Sequence, residues 1–389
     1  MKITHRVKAR RLVTGAALFA GLGFIAPVAA QEYPQERAYL IDLKKRTATE
    51  LGSLGGGGTA ASALNDTGQV VGGSSTLSGA YHAFITGPNG KGMRDLGTLG
   101  GNYSYAKGIN DAGQVVGASR TSTPGMSHAF MTGAGGMNMR DLIASKLIGS
   151  ADAINDKGQV VGSFTEEGIA PGDWSWHAFI TGPNGAGMKD IADADAVPGW
   201  YFVIPSGINA TGQVAGTASD PPNRPFITGE DGVGIRDVGL SDSGAISSGA
   251  SDINDAGQVI ISYEILGESP DVYRSFISGA DGAGMTDLGN LGGDYIVAGG
   301  INNAGQVVGS SHTSGGALHA FITGPDGAGM TDLNLLVDLP DGVILTRAAD
   351  INDMGQVIAT GIPEPESYAM FLIGLGLIGY MAKRKRLMA

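Results

Sequence analysis

The nine residues Ile109-Asn110-Asp111-Ala112-Gly113-Gln114-Val115-Val116-Gly117 decide how this chain is read, because they return with small changes. Their asparagine recurs at Asn65, Asn110, Asn155, Asn209, Asn254, Asn302 and Asn352, at spacings of 45, 45, 54, 45, 48 and 50 residues. A second phrase follows each of the first six copies: His82-Ala83-Phe84-Ile85, then Met93-Arg94-Asp95-Leu96. Its phenylalanine recurs at Phe84, Phe130, Phe179, Phe226, Phe276 and Phe321. A fixed period of about 20–50 residues marks a solenoid, a propeller or an array.

Each repeat reads as four short strands. The first ends at Ile-Asn, the second is Gln-Val-Val-Gly, the third Ala-Phe-Ile-Thr and the fourth Met-Arg-Asp-Leu. These apolar runs are bounded by Gly, Asn, Asp and Pro. They are near-continuous, as in sheets covered on both faces. The second phrase is missing after Asn352 but present at the other end of the chain. There Ala38-Tyr39-Leu40 aligns with Ala83-Phe84-Ile85, and Leu51-Gly52-Ser53-Leu54-Gly55-Gly56 with Leu96-Gly97-Thr98-Leu99-Gly100-Gly101. The chain therefore starts and ends halfway through a repeat. Complementary halves suit a ring, whereas an open solenoid needs polar caps. The expected fold is all-β: a seven-bladed β-propeller of four-stranded blades over 37–361, its closing blade shared by the N- and C-terminal halves. A parallel β-helix is the second reading, though its coils are shorter than these repeats.

This punctuation accounts for most of the 66 glycines among 389 residues, with a smaller share in the two end segments. Asn-Asp-Ala-Gly suits a tight turn between strands one and two, and Gly87-Pro88-Asn89-Gly90 one between strands three and four. Cysteine is absent, which excludes a disulfide framework, a thiolate metal site and a cysteine nucleophile. Formal net charge is −12. The basic ends conceal a more acidic body, with 16 basic against 35 acidic residues once both ends are set aside. Such a body repels phosphate backbones, so no nucleic-acid partner is expected.

The two ends read as addresses. Residues 1–30 have a basic start (Lys2, Arg6, Lys8, Arg10, Arg11), an apolar run from Val13 to Ile25, and small residues at Val28 and Ala30. This is the layout of a secretory signal peptide cleaved between Ala30 and Gln31. Residues 362–389 begin Ile362-Pro363-Glu364-Pro365, continue with an apolar stretch from Tyr368 to Ala382, and close on Lys383, Arg384, Lys385 and Arg386. As a helix, that stretch is marginal for a permanent span, at about 1.5 Å per residue. The basic cluster keeps its end cytoplasmic and puts the body outside.

This ordered trio resembles the PEP-CTERM sorting signal of Gram-negative bacteria. Pro363, Glu364 and Pro365 match its motif, and Gly374, Gly376 and Gly379 suit its helix. Ile362 stands where that family usually has Val. The resemblance implies an exosortase and the secretion machinery as partners, transient inner-membrane anchoring, and removal of the tail. The body resembles the HAF family of extracellular repeats, through His82-Ala83-Phe84, Leu96-Gly97-Thr98-Leu99-Gly100-Gly101 and the phrase at Ile109. That resemblance implies a secreted or surface location and no activity. Repeats four and five depart from it: Pro225 and Ser275 replace the Ala, with Arg224 and Arg274 beside them.

Catalytic candidates are sparse. His82, His128, His177 and His319 share one repeat position, which points to a structural contact. The same holds for Asp95, Asp141, Asp190, Asp237, Asp287 and Asp332, and for the Asn-Asp turns, where Asx side chains satisfy local backbone donors. His312 reads as alone in a loop. No Gly-x-Ser-x-Gly, His-Glu-x-x-His, phosphate loop or calcium-loop motif occurs, so no catalytic residue, metal or cofactor is assigned. Because strands alternate direction, both tight turns of a blade fall on one face, and the variable loops and linkers gather on the other. Loops on a rigid scaffold are where binding concentrates. Trp174 and Trp176 fall in the long loop before His177, and Trp200 and Tyr201 in the linker that follows; their rings suit stacking on sugars or anchoring of the loops. The expectation is a monomeric, non-enzymatic protein of the cell surface or extracellular matrix that binds exopolysaccharide or another envelope component. The alternative is a secreted glycan hydrolase or lyase with its site in the propeller channel.

Overall fold

The computed structural model describes residues 36–143, 148–167, 174–191, 202–219, 223–239, 247–265, 272–340 and 342–363. All described residues lie between Glu36 and Pro363. The signal-peptide reading, Ala30 and Gln31 included, therefore falls outside the described residues, as does everything beyond Pro363.

The described chain is all-β, built of four-stranded antiparallel sheets. The second repeat is typical: Gly100–Ile109, Val115–Thr121, Ser127–Gly133 and Met137–Asp141 pair in chain order. Its sheet touches that of the first repeat through one parallel bridge, Tyr81 to Tyr103. Four further repeats form separate four-stranded sheets. The antiparallel order within every sheet overturns the β-helix alternative. The remaining sheet draws on both ends of the chain, in the order Thr47–Glu50, Arg37–Asp42, Gln356–Pro363, Val343–Ile351. Its central register sets Arg37 opposite Gly361 and Ile41 opposite Val357. The final strand runs two residues past the expected boundary at 361, because Ile362 and Pro363 pair with Ile344 and Val343.

Turn chemistry explains why the strands reverse where they do. In all seven Asn-x-x-Gly turns the glycine has a left-handed backbone, with φ between 71° and 83°. A side chain there meets steric resistance that glycine escapes. The second tight turn of each repeat leans on the first: Gly136 N–H donates to the Gly113 carbonyl at 2.7 Å, and five other repeats match it. Both turns thus share one face, as the strand count requires. Variable loops occupy the opposite face, and the last described residue, Pro363, lies at that end of its strand.

Packing runs between neighbouring repeats. Val71, Ala83 and Ile85 of the first repeat bury against Ala106, Ile109, Val115 and Phe130 of the second. Phe84, Phe130, Phe179, Phe226 and Phe321 are fully buried, each over a glycine of its own second strand. A Cβ on Gly117 would stand 2.0 Å from the Tyr105 carbonyl oxygen and 2.9 Å from the Phe130 ring. The fifth repeat has Ile261 at this position, and its Phe276 is only half-buried, turned edge-on to Tyr263 at 5.3 Å. Gly117→Val is therefore expected to destabilise by about 3 kcal/mol, at the upper end of overpacking costs. A urea midpoint equal to wild type would show that the sheet yields at no cost.

Candidate functional site

The repeated asparagines form a hydrogen-bonded belt. Each Oδ1 accepts the backbone N–H of the glutamine four residues on, and each Nδ2 donates to that glutamine's Oε1 (Asn110 to Gln114, 2.9 and 2.8 Å). The same Nδ2 reaches the asparagine carbonyl of the next repeat. The series runs Asn65 to Asn110, to Asn155, to Asn209, to Asn254, to Asn302, to Asn352, and Asn352 donates to Asn65 at 2.9 Å. A second series lies beside it: Asp66 N–H donates to Asp111 Oδ1, Asp111 N–H to Asp156 Oδ1, and Asp353 N–H to Asp66 Oδ1. Ala210 interrupts this series, offering Asp156 no carboxylate. Burial holds the Asp66 carboxyl above its usual range, opposed by the bond from Asp353 and reinforced by the charges of Asp111 and Asp353. Among the described residues no group of three or more His, Asp or Glu side chains is placed to hold a metal.

The repeated histidines and aspartates are partners of one another. Nδ1 of His82, His128, His177 and His319 lies 2.6–2.8 Å from a carboxylate oxygen of Asp95, Asp141, Asp190 and Asp332. In repeats four and five, Arg224 and Arg274 take the histidine's place against Asp237 and Asp287, at 3.2 and 3.0 Å. The departures from the repeat are thus exchanges of one donor for another. His312 departs from expectation. It belongs to the strand Val307–Thr313 and meets Asp294 at 3.2 Å, a cross-strand neighbour that spacing within one strand does not reveal.

The first strands of the repeats enclose a cavity of about 200 Å³, lined two and three residues before each asparagine. Most of these positions hold Gly, Ala or Ser; Asp152, Asp252, Asp350 and Lys107 are the exceptions. Lys107 Nζ lies 2.5 Å from Asp152 Oδ1, while Asp152 Oδ2 is buried without a hydrogen-bond partner. Burial raises the Asp152 carboxyl despite Lys107. Asp252 and Asp350 flank Gly300. Asp252 Oδ2 accepts from Ile301 N–H at 3.2 Å, and a Cβ on Gly300 would stand 2.7 Å from Asp350 Oδ1. Asp350 Oδ2 accepts from Leu64 N–H at 3.1 Å, binding the last repeat to the first. Burial, then the neighbouring Asp350, pushes Asp252 up to about 8; burial pushes Asp350 up to about 6. Sequence reasoning passes over both. Their one signal is a carboxylate where other repeats carry Gly or Ala.

Of the aromatic candidates, Trp174 and Trp176 lie within the strand Trp174–Gly182 rather than in a loop, opposite Glu167 and Thr165. Aromatic and β-branched residues favour this extension of the hairpin. Trp176 is 46% exposed. Trp200 and Tyr201 lie outside the described residues, as do Glu364, Pro365, the apolar tail, Lys383, Arg384, Lys385 and Arg386. Among the described residues no helix is long and apolar enough to cross a membrane.

Solved structures of the same architecture exist. An oligogalacturonate lyase in complex with manganese is 12% identical, with a TM-score of 0.50 over 78% of this chain and 87% of that one. The β-propeller domain of the Trilobed protease from Pyrococcus furiosus, which has an open velcro topology, is 10% identical, with a TM-score of 0.51 over 77% and 87%. A prolyl endopeptidase structure gives 10% identity and a TM-score of 0.53 over 74% of this chain and 44% of its own. At such identities the likeness is one of fold, and it is propeller-like. No curated protein matches the chain. The C-terminus is more specific: residues 361–386 match the PEP-CTERM protein-sorting motif, so this chain carries the signal for exosortase-sorted export.

Proposed function

We propose that this chain is an exported, non-enzymatic binding protein of the cell surface or extracellular matrix of a Gram-negative bacterium, built as a closed seven-bladed β-propeller of HAF-type repeats. The circular asparagine series and the sheet shared by both ends support seven blades and closure. The sorting motif supports passage through the inner membrane with an exosortase as partner. Exopolysaccharide is the ligand class that fits best, and one observation carries it: Trp176 stands exposed on the face of variable loops, while the repeated asparagines of the opposite face bond to one another. Trp176→Ala is expected to weaken retention on the organism's purified exopolysaccharide about tenfold, the equivalent of ~1.4 kcal/mol of lost ring contact. Unchanged retention would remove this tryptophan from the binding surface.

A second reading, a glycan hydrolase or lyase working in the channel, draws on the paired carboxylates Asp252 and Asp350, whose raised proton affinity suits acid–base chemistry. Depolymerisation of purified matrix, abolished by Asp252→Asn in a folded protein, would favour it. The backbone N–H groups already bound to both carboxylates weigh toward a structural role.

A further inference from the structure

Three junctions between consecutive repeats share one aromatic placement. In these repeats the residue three before the repeated Phe and the residue seven before the next repeated Asn are both aromatic. These pairs are Tyr81 and Tyr103, Trp176 and Phe202, and Tyr273 and Tyr295. The intervening junctions carry Ser127 with Ile148 and Asn223 with Ser247, and the pattern stops at Leu318 with Leu345. The aromatic pairs thus occupy alternate junctions: first–second, third–fourth and fifth–sixth. All sit at the strand ends that face the variable loops.

Two of these pairs continue into a basic side chain at an equivalent position, ten residues after the repeated Asn: Arg120 in one and His312 in the other. At the first–second junction Tyr81 stacks on Tyr103 at 5.5 Å and on Tyr105 at 6.3 Å, and the Arg120 guanidinium lies 5.6 Å from the centre of Tyr103. At the fifth–sixth junction Tyr273 meets Tyr295 at 5.2 Å, and Tyr295 meets His312 at 5.1 Å. The two clusters differ in charge. His312 is paired with Asp294, and the Tyr273 hydroxyl donates to Glu264. Arg120 is exposed, and among the described residues it forms no ion pair. Its platform is rigid: Tyr81 donates its hydroxyl to the Gly73 carbonyl at 3.0 Å, and a Cβ on Gly73 would come within 2.3 Å of Tyr81 and 2.5 Å of Tyr105. Tyr103 keeps 38% of its surface exposed beside the cation.

An aromatic surface presents an apolar face that fits the C–H face of a pyranose, and a guanidinium forms a two-pronged bond with a carboxylate. We infer that Tyr103 and Arg120 form a subsite for a uronic-acid residue of the bound polysaccharide, with Tyr103 against the sugar and Arg120 on its carboxylate. The Tyr273–Tyr295 pair adds a contact to an uncharged sugar unit. This inference rests on the glycan-binding reading and deepens it.

The test titrates the folded protein with a uronic-acid hexasaccharide and with its carboxyl-reduced counterpart. Wild type is expected to bind the acidic oligosaccharide about tenfold more tightly than the reduced one. Arg120→Gln removes that preference and leaves affinity for the reduced form unchanged. Arg120→Lys restores part of the preference, which separates loss of charge from loss of fold. Tyr103→Ala weakens both. Equal affinities for the two oligosaccharides in wild type, or a preference that survives Arg120→Gln, overturns the subsite. If the protein binds neither oligosaccharide yet is retained on native exopolysaccharide, the subsite falls and the broader reading stands. Loss of both fails the broader reading as well.

Discussion

Asn352→Ala is expected to destabilise the folded chain by about 3 kcal/mol, more than an ordinary buried polar substitution. The side chain is buried and makes three bonds: to the Gln356 N–H at 2.8 Å, to Gln356 Oε1 at 3.0 Å and to the Asn65 carbonyl at 2.9 Å. Removing it leaves a buried donor and a buried acceptor without partners, and such groups cost about 1–3 kcal/mol each. It also cuts the one asparagine link that joins the last repeat to the first. Asn155→Ala removes equivalent bonds within the continuous chain, to Gln159 and to the Asn209 carbonyl. The comparison is therefore informative. Urea denaturation of both variants should give similar losses if each link acts locally. A larger loss at Asn352 would show that the circular series is cooperative, and a loss under ~1 kcal/mol at both would deny the belt a structural role.

The second large effect concerns pH. Asp252 and Asp350 hold their protons in the folded state to about 8 and about 6, against an ordinary 3.8. An unfolded chain releases those protons near 4, so over the window from about 4 to 8 the folded state binds more protons than the unfolded one. Stability must then fall as pH rises through that window. Each pH unit separating the folded from the unfolded titration of one group is worth ~1.4 kcal/mol. The two carboxyls titrate as a coupled pair, and the expected loss between pH 5 and pH 9 is about 3 kcal/mol. Asp66 and Asp152 are raised as well and add to the slope. Asp42 and Asp294 are held low, but they act only at the acid end. Asp252→Asn should remove most of the slope and leave the variant more stable than wild type at pH 9. Guanidinium midpoints at pH 5, 7 and 9 measure this directly. Wild-type stability that rises across the same range would mean that both carboxylates are well solvated.

The strands and their turns are legible in the sequence because they are written in short local phrases. Asn-Asp-Ala-Gly carries its own left-handed glycine, and Gly-Pro-Asn-Gly its own reversal. The half-repeats at Ala38 and Asn352 are legible because the phrases are complementary. What lies beyond reach is contact across repeats. Nothing in the spacing of His312 points to Asp294, and nothing around Asp350 points to Leu64, 286 residues away. The aromatic surface is half visible. Trp176 is conspicuous by residue type, whereas Tyr81, Tyr103 and Arg120 matter only once one sheet stands against the next. The long insertion around Trp174 and Trp176 reads as a loop by its length alone, yet the hairpin extends into it.

The shared sheet also sets an order of events in time. Arg37–Asp42 is among the first strands to emerge during synthesis and export, yet its partner Gln356–Pro363 is the last. Until that partner arrives, a hydrogen-bonding edge stands open at one end of the growing array and a repeat with half its strands missing at the other. Open edges pair readily with other chains. Contacts this distant in sequence also form slowly. The match to the sorting motif begins at residue 361, within the final strand, so the edge is sealed only when the chain has emerged as far as that motif. A chain arrested in export short of Gln356 would remain unsealed, and the same edge that completes the fold would offer itself to its neighbours.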